Sequence, residues 1–219
     1  MDQTLYLIRH GETEWNRAKK VQGWNDSPLT ELGETQARGV AGILAREIAD
    51  PAEAILYCSP LGRARATAEI IAAELGLDFG LCRFDDDLKE LNTGQWDGLT
   101  FAEIEAAFPD DLNHFREDSW RNRPPGGESY AMLAARIGKW LDALEETSPA
   151  LVVSHGIAGQ VFRGRYLGLG EAETVSQDQP QDVVFRLAGG RIAGLTPQKP
   201  SNQKNPLHYK PLRALLRFR

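Results

Sequence analysis

Two stretches of this chain place a histidine and then a glycine at the end of an apolar run: Leu5-Tyr6-Leu7-Ile8-Arg9-His10-Gly11 and Leu151-Val152-Val153-Ser154-His155-Gly156. The chain has four histidines, so half of them share one local pattern. A third apolar run ends at Cys58-Ser59-Pro60, and Arg63 falls in the first turn of the helical pattern that follows. A buried strand that closes on Arg9 and His10 needs an anionic partner for them. If the three runs are parallel strands of one sheet, His10, His155, Arg9 and Arg63 gather at one edge. A phosphoryl group suits that cluster, because a guanidinium binds phosphate through two parallel hydrogen bonds. Gly11 and Gly156, read as helix starts, would offer backbone N–H donors, and glycine lets the backbone approach a ligand closely. Nearby cations favour a neutral imidazole, which is a nucleophile. The chemistry this implies is phosphoryl transfer through a phosphohistidine.

A leaving alcohol needs a proton. The candidate donor is Glu90, set between Leu88 and Leu91 ahead of a loop shaped by Gly94, Trp96 and Gly98. A carboxyl group facing a phosphate dianion holds its proton more tightly and can act as a general acid. A metal site is the rival use for two histidines, but it wants converging carboxylates, His or Cys and disfavours adjacent arginines. No G-x-x-x-x-G-K-[ST] phosphate loop occurs.

The elements that must position these groups alternate. Strand-like runs lie at 4–8, 54–58, 150–154 and 183–187, with a weaker one at 191–195. Helical patterns lie between them. Thr30 reads as the N-cap of a helix with Leu32, Ala37, Val40, Ile43, Leu44 and Ile48 on its apolar face. A helix over 61–75 stops at Gly76. Thr100 and Glu103 form a capping box opening a short helix to Phe108. Long amphipathic and shorter helices follow at 128–146 and 156–168. Residues 109–127 read as the least regular part of the body and a candidate cover for the site. The alternation predicts an α/β fold, a three-layer αβα sandwich with a mostly parallel central sheet, in which ligands bind at the carboxyl ends of the strands.

At 219 residues, 42% hydrophobic and 26% charged, the chain has the length and balance of one globular domain. Its net charge of −6 argues against a dedicated nucleic-acid binder. The charge is uneven. Residues 197–219 carry six Lys/Arg and no acid, which leaves 19 basic against 31 acidic residues in 1–196. This divides the chain into a 1–196 domain and a 197–219 basic tail, with 197–206 as a linker. Leu212, Leu215 and Leu216 could share a face opposite Arg213 and Arg217, a pattern for docking on the acidic body or on a second subunit of a homodimer, with a surface-binding amphipathic segment or simple disorder as the alternatives. Cys58 and Cys82 read as small core residues. The first residues lack a basic n-region, and no run reaches the roughly 18–20 apolar residues of a membrane span. The expected location is the cytoplasm.

Six ordered blocks carry a resemblance: "LIRHGETEWN", "VQGWNDSPLTELGETQA", "SPLGRARATA", "LKELNTGQWDGLT", "PPGGES" and "VVSHG". Together they resemble the histidine phosphatase superfamily, the phosphoglycerate mutase-like proteins, over most of 1–196. The resemblance implies a phosphoglycerate mutase-like fold and a site that needs neither metal nor other cofactor. It implies that His10 is the nucleophile and that Arg9, Arg63 and His155 complete the phosphate pocket. Glu90 would donate the proton and later activate water. Asn16 would touch the phosphoryl group, while Gln22 and Gly23 line the substrate side. Cofactor-dependent mutases of the family tend to read Glu-Arg-x-Tyr-Gly at the acid, whereas here Glu90 precedes Leu91-Asn92-Thr93-Gly94. They also tend to carry a longer insertion than residues 91–154. Both departures point to a hydrolase acting on a small phosphorylated substrate. Mutase-type transfer and a non-catalytic phospho-ligand binder are the alternatives. Arg121 and Arg123 are further candidate contacts to an anionic substrate.

Overall fold

The computed structural model describes residues 3–145 and 147–197. The expected linker and basic tail, apart from Pro197, lie outside the described residues. In chain order the elements are β1 (Leu5–Arg9), α1 (Glu14–Arg17), α2 (Glu31–Glu47), β2 (Ile55–Cys58), α3 (Gly62–Leu75), β3 (Arg83–Phe84), α4 (Phe101–Ala107), α5 (Pro109–Glu117), α6 (Tyr130–Asp142), β4 (Ala150–Ser154), α7 (Gly156–Leu167), α8 (Glu171–Val175), β5 (Val184–Ala188) and β6 (Arg191–Leu195). The six strands form one sheet in the order β3-β2-β4-β1-β5-β6. The first four in that order run parallel, while β5 and β6 run antiparallel to their inner neighbours.

β1 and β4 read as unbroken apolar runs because both faces of the sheet are covered. Their side chains alternate between two cores. Leu5, Leu7, Ala150 and Val152 pack with Leu133, Ile137, Trp140, Val161 and Phe162 of α6 and α7. Tyr6, Ile8, Leu151 and Val153 pack with Val40, Ile43, Leu44, Ala64, Ala68 and Ile71 of α2 and α3. The outcome is the expected three-layer sandwich. A small third core, Trp96, Ile104 and Leu112, sits under α4 and α5.

Local signals set the helix ends. The Thr30 side chain accepts from the Gly33 N–H, Thr100 and Glu103 form the capping box, and Gly76 closes α3 at φ 70°. The structure corrects the reading in several places. Residues 109–117 are helical, with Pro109 in the first turn and Leu112 buried against the third core. The expected helix at 128–146 covers only Tyr130–Asp142. Leu32, placed on the apolar face of α2, is 48% exposed, while its neighbours Thr30 and Gly33 are buried.

Candidate active site

The sheet register builds the site. Arg9 pairs with Ser154 and Cys58 with Val153, so the three strands end level with one another. The next backbone N–H on each side continues the ladder, His10 to the Ser154 carbonyl oxygen at 3.0 Å and Ser59 to that of Val153 at 2.9 Å. His10 and His155 therefore leave neighbouring strands side by side, with ring centroids 5.2 Å apart. Arg63 reaches the same place from the first turn of α3, and its Nε donates to His10 Nε2 at 3.2 Å. All three side chains are buried, as is Glu90.

The tautomer of His10 follows from its partners. Nδ1 lies 2.7 Å from the Gly11 carbonyl oxygen, which can only accept. Nδ1 therefore carries the proton, and Nε2 keeps the lone pair that meets Arg63. Burial first, then the charges of Arg63 and Arg9, hold the His10 imidazole well below the usual histidine range. Burial first, then Arg63, His10, Arg136 and Arg9, does the same for His155. The sequence pointed to the cations; the larger cause is loss of water. His155 Nε2 shares a 2.7 Å hydrogen bond with Ser59 Oγ, and its buried Nδ1 has no partner among the described residues.

These imidazoles make stability depend on pH with a definite sign. They stay neutral in the folded chain and titrate near pH 6.5 when unfolded, so below that pH the unfolded state binds more protons. Above it they cost nothing; as pH falls through it, stability is lost. Between pH 7 and 5 each imidazole should remove up to about 2 kcal/mol. Calorimetry over this range should show a falling Tm, and His155→Gln should make the fall shallower.

The structure relocates the role expected of glycine. Gly11 begins no helix, and its N–H donates to Thr67 Oγ1 at 3.1 Å. Its backbone approaches α2 closely: a Cβ on Gly11 would lie 2.2 Å from the Gly33 carbonyl oxygen, and one on Gly33 2.1 Å from that of Glu12. Gly156 does open α7, but the next amides are occupied. Ile157 and Ala158 donate to the Glu90 carboxylate at 3.1 and 2.8 Å, and Leu91 adds a third bond at 2.9 Å. Glu90 thus caps α7 from a distant loop.

Arg9 points to the α6–α7 face and donates to the Gln179 carbonyl oxygen. Asn16 Oδ1 accepts from the Thr13 N–H and from Gln181 Nε2, which also reaches the His10 carbonyl oxygen. Gln22 bridges Thr13 and Ser27. The Gly23 carbonyl oxygen accepts from Arg63 at 2.7 Å. Arg121 lies on the surface between Asp118 and Glu171, so its charge is already matched. Among the described residues no group of three or more His, Cys, Asp or Glu could hold a metal ion, and no helix is long and apolar enough to cross a membrane.

Three residues essential to this geometry carried no signal of their own. Asp26 accepts from Arg63 NH1 at 2.8 Å and from the N–H groups of Gly62 and Arg63 at 2.6 and 3.2 Å. It thereby caps α3, whose own N-cap residue Leu61 supplies no side-chain bond. Arg136 donates to the carbonyl oxygens of Asp87, Lys89 and Glu90, and Glu128 holds both Arg136 and the Asn92 N–H. This pair fixes the loop that carries Glu90. Asp26→Ala should lower stability by about 2 kcal/mol and kcat/KM on the order of 100-fold, as Arg63 loses its orientation. Asp26→Asn, which keeps the cap, should recover most of the Tm but less of the rate.

The comparisons with known proteins give the family. The family model of the histidine phosphatase superfamily (branch 1) matches residues 5–191. The chain belongs to the histidine phosphatase superfamily. Within it, the chain is 40% identical over 177 residues to a probable phosphoglycerate mutase GpmB from Erwinia tasmaniensis, covering 75% of each chain. A mycobacterial glucosyl-3-phosphoglycerate phosphatase, solved with VO3, matches with a TM-score of 0.72 at 30% identity, over 89% of this chain and 96% of that one. The alpha-ribazole phosphatase of Shigella flexneri shares the fold, with a TM-score of 0.77 at 22% identity over 93% and 100% of the two chains. As a histidine phosphatase superfamily member, this protein is an enzyme of phosphomonoester chemistry.

Proposed function

We propose that the chain hydrolyses small phosphomonoesters in two phosphoryl transfers through His10. The observation that carries this reading is the fixed tautomer of a buried, neutral imidazole whose Nε2 lone pair faces the Arg63 guanidinium. In the first transfer Nε2 bonds to phosphorus, the bond to the leaving oxygen breaks, and protonated Glu90 gives that oxygen its proton. In the second, water attacks phosphorus, the Glu90 carboxylate takes a proton from it, and the N–P bond breaks to release phosphate. Arg63 exchanges its bond to Nε2 for one to a phosphoryl oxygen as the N–P bond forms. His155 assists from the neighbouring strand: with the Ser59 hydroxyl donated to Nε2, its Nδ1–H is left for another phosphoryl oxygen. Arg9 adds positive charge. Such preorganised donors stabilise the charge spread over the transferring group.

The name of the GpmB relative favours a second reading, transfer between positions of phosphoglycerate. Hydrolysis is supported by the loop after Glu90, which supplies no arginine for a second acidic group, and by the matched charge of Arg121. The deciding experiment incubates the protein, with EDTA present, with phosphomonoesters including 3-phosphoglycerate, with and without 2,3-bisphosphoglycerate. Free phosphate and an acid-labile phosphoenzyme are the expected products. Isomerisation without net phosphate release would replace the hydrolase reading with the mutase one.

A further inference from the structure

Glu90 protonates the leaving oxygen in the reading above, on which this inference rests, so the leaving alcohol emerges beside Glu90. Trp24 is held against the backbone of that residue. Its Nε1–H donates to the Glu90 carbonyl oxygen at 2.9 Å, and the carbonyl of the preceding residue, Gly23, accepts from Arg63. Trp24 therefore sits where the acid side and the nucleophile side of the site join. Trp24 is 40% exposed, whereas Trp96 and Trp140 are buried at 3% and 5%. The Lys89 ammonium lies 4.7 Å from the ring centroid and is itself paired with Asp86 at 2.9 Å. Lys89 lies over the ring and the ring's N–H is satisfied, so the accessible part of the side chain is apolar. Of the large apolar side chains exposed among the described residues, Trp24 is the one hydrogen-bonded to the backbone of a candidate catalytic residue.

We propose that Trp24 is the platform for the leaving group, and that the natural substrate is a phosphomonoester whose alcohol carries a ring lying flat on the indole face away from Lys89. A ring, either an aromatic system or the C–H face of a sugar, meets an indole over a broad area and excludes water from it. A short open-chain acid presents no such face. Closure of a ring over this site also screens the bond between Glu90 and the leaving oxygen from bulk water.

The test compares benzyl phosphate and glucose 6-phosphate with ethyl phosphate and glycerol 3-phosphate, all esters of unactivated alcohols. Wild type should turn over at least one ring-bearing ester with kcat/KM about tenfold or more above the open-chain pair. Trp24→Ala should erase that preference, the ring-bearing ester losing about tenfold or more relative to ethyl phosphate. Trp24→Phe, which loses the N–H bond to Glu90 but keeps a ring, should retain the preference. Benzyl phosphate alone responding would identify an aromatic leaving group, and glucose 6-phosphate alone a sugar. A preference unchanged in Trp24→Ala would overturn the proposal. So would equal losses on every ester in both variants, which would make Trp24 only an anchor for Glu90. Failure of wild type to release phosphate from any ester would instead strike the hydrolase reading, and this inference with it.

Discussion

Replacing His10 with alanine is expected to lower phosphate release by about 10⁴-fold or more and to abolish the acid-labile phosphoenzyme. The size of the loss follows from the site. The other imidazole, His155, lies 5.2 Å away between centroids with Nε2 bound to Ser59 Oγ, and it stands on a different strand from the lone pair aimed at Arg63. It cannot attack from the same line. Alanine also removes the acceptor of the Arg63 Nε–H, a buried bond whose loss costs about 1–3 kcal/mol. His10→Asn keeps a polar partner there and should be better folded yet equally inactive. Rates near wild type in a folded His10 variant, read by phosphate release and circular dichroism together, would sink the phosphohistidine mechanism.

Glu90→Gln is expected to slow esters of poorly acidic alcohols by roughly 10²–10⁴-fold. Two effects combine. The amide cannot give up a proton in the first transfer or take one from water in the second. It also presents an NH2 group toward one of the amides that the carboxylate accepts from Ile157, Ala158 and Leu91, which loosens the cap on α7. The effects separate by leaving group. An ester of an acidic phenol needs little help from an acid, so 4-nitrophenyl phosphate should show a burst of 4-nitrophenol at a rate much closer to wild type, followed by slow turnover. Equal losses for both leaving groups in the burst phase would show Glu90 to be a positioning residue rather than the acid.

Most of the scaffold was legible because its signals are local. Strand ends marked by His-Gly, the Thr30 cap, the Thr100–Glu103 box and the Gly76 stop all depend on residues within one turn of each other. The misses have physical causes of two kinds. Some elements are too short or too polar to show a period: β3 is two residues long, and α5 buries only Leu112 fully. Pro109 followed by Asp110 and Asp111 fits a helix start, a signal that the reading of 109–127 as irregular left unused. The other misses concern partners far apart in sequence. Asp26 caps a helix that begins 36 residues later, and Arg136 pins carbonyl oxygens 46 to 49 residues earlier. Such bonds depend on tertiary placement and leave no periodic trace. Both Asp26 and Glu128 lie in blocks that carried the family resemblance, which marked the neighbourhoods without revealing the jobs. The Gly11 misreading is of the same sort: its close neighbour is the backbone at Gly33, a contact between two elements.

The imidazoles and guanidinium groups assigned to phosphoryl transfer stem from β1, from β4 and from the end of β2 into α3, three strands lying next to one another in the sheet. The strands at either rim, β3 and β6, contribute none of these, and the loop after β3 carries Glu90. This divides the molecule into a fixed instrument and an adaptable frame. A one-residue slip in β4 would displace His155 from both neighbours at once. Growth at the β5–β6 turn, where Gly189 and Gly190 take φ of 55° and 71°, would leave every reacting atom where it stands. A descendant of this chain could therefore exchange its clientele through the loops and the rim while inheriting the same way of breaking a phosphate bond.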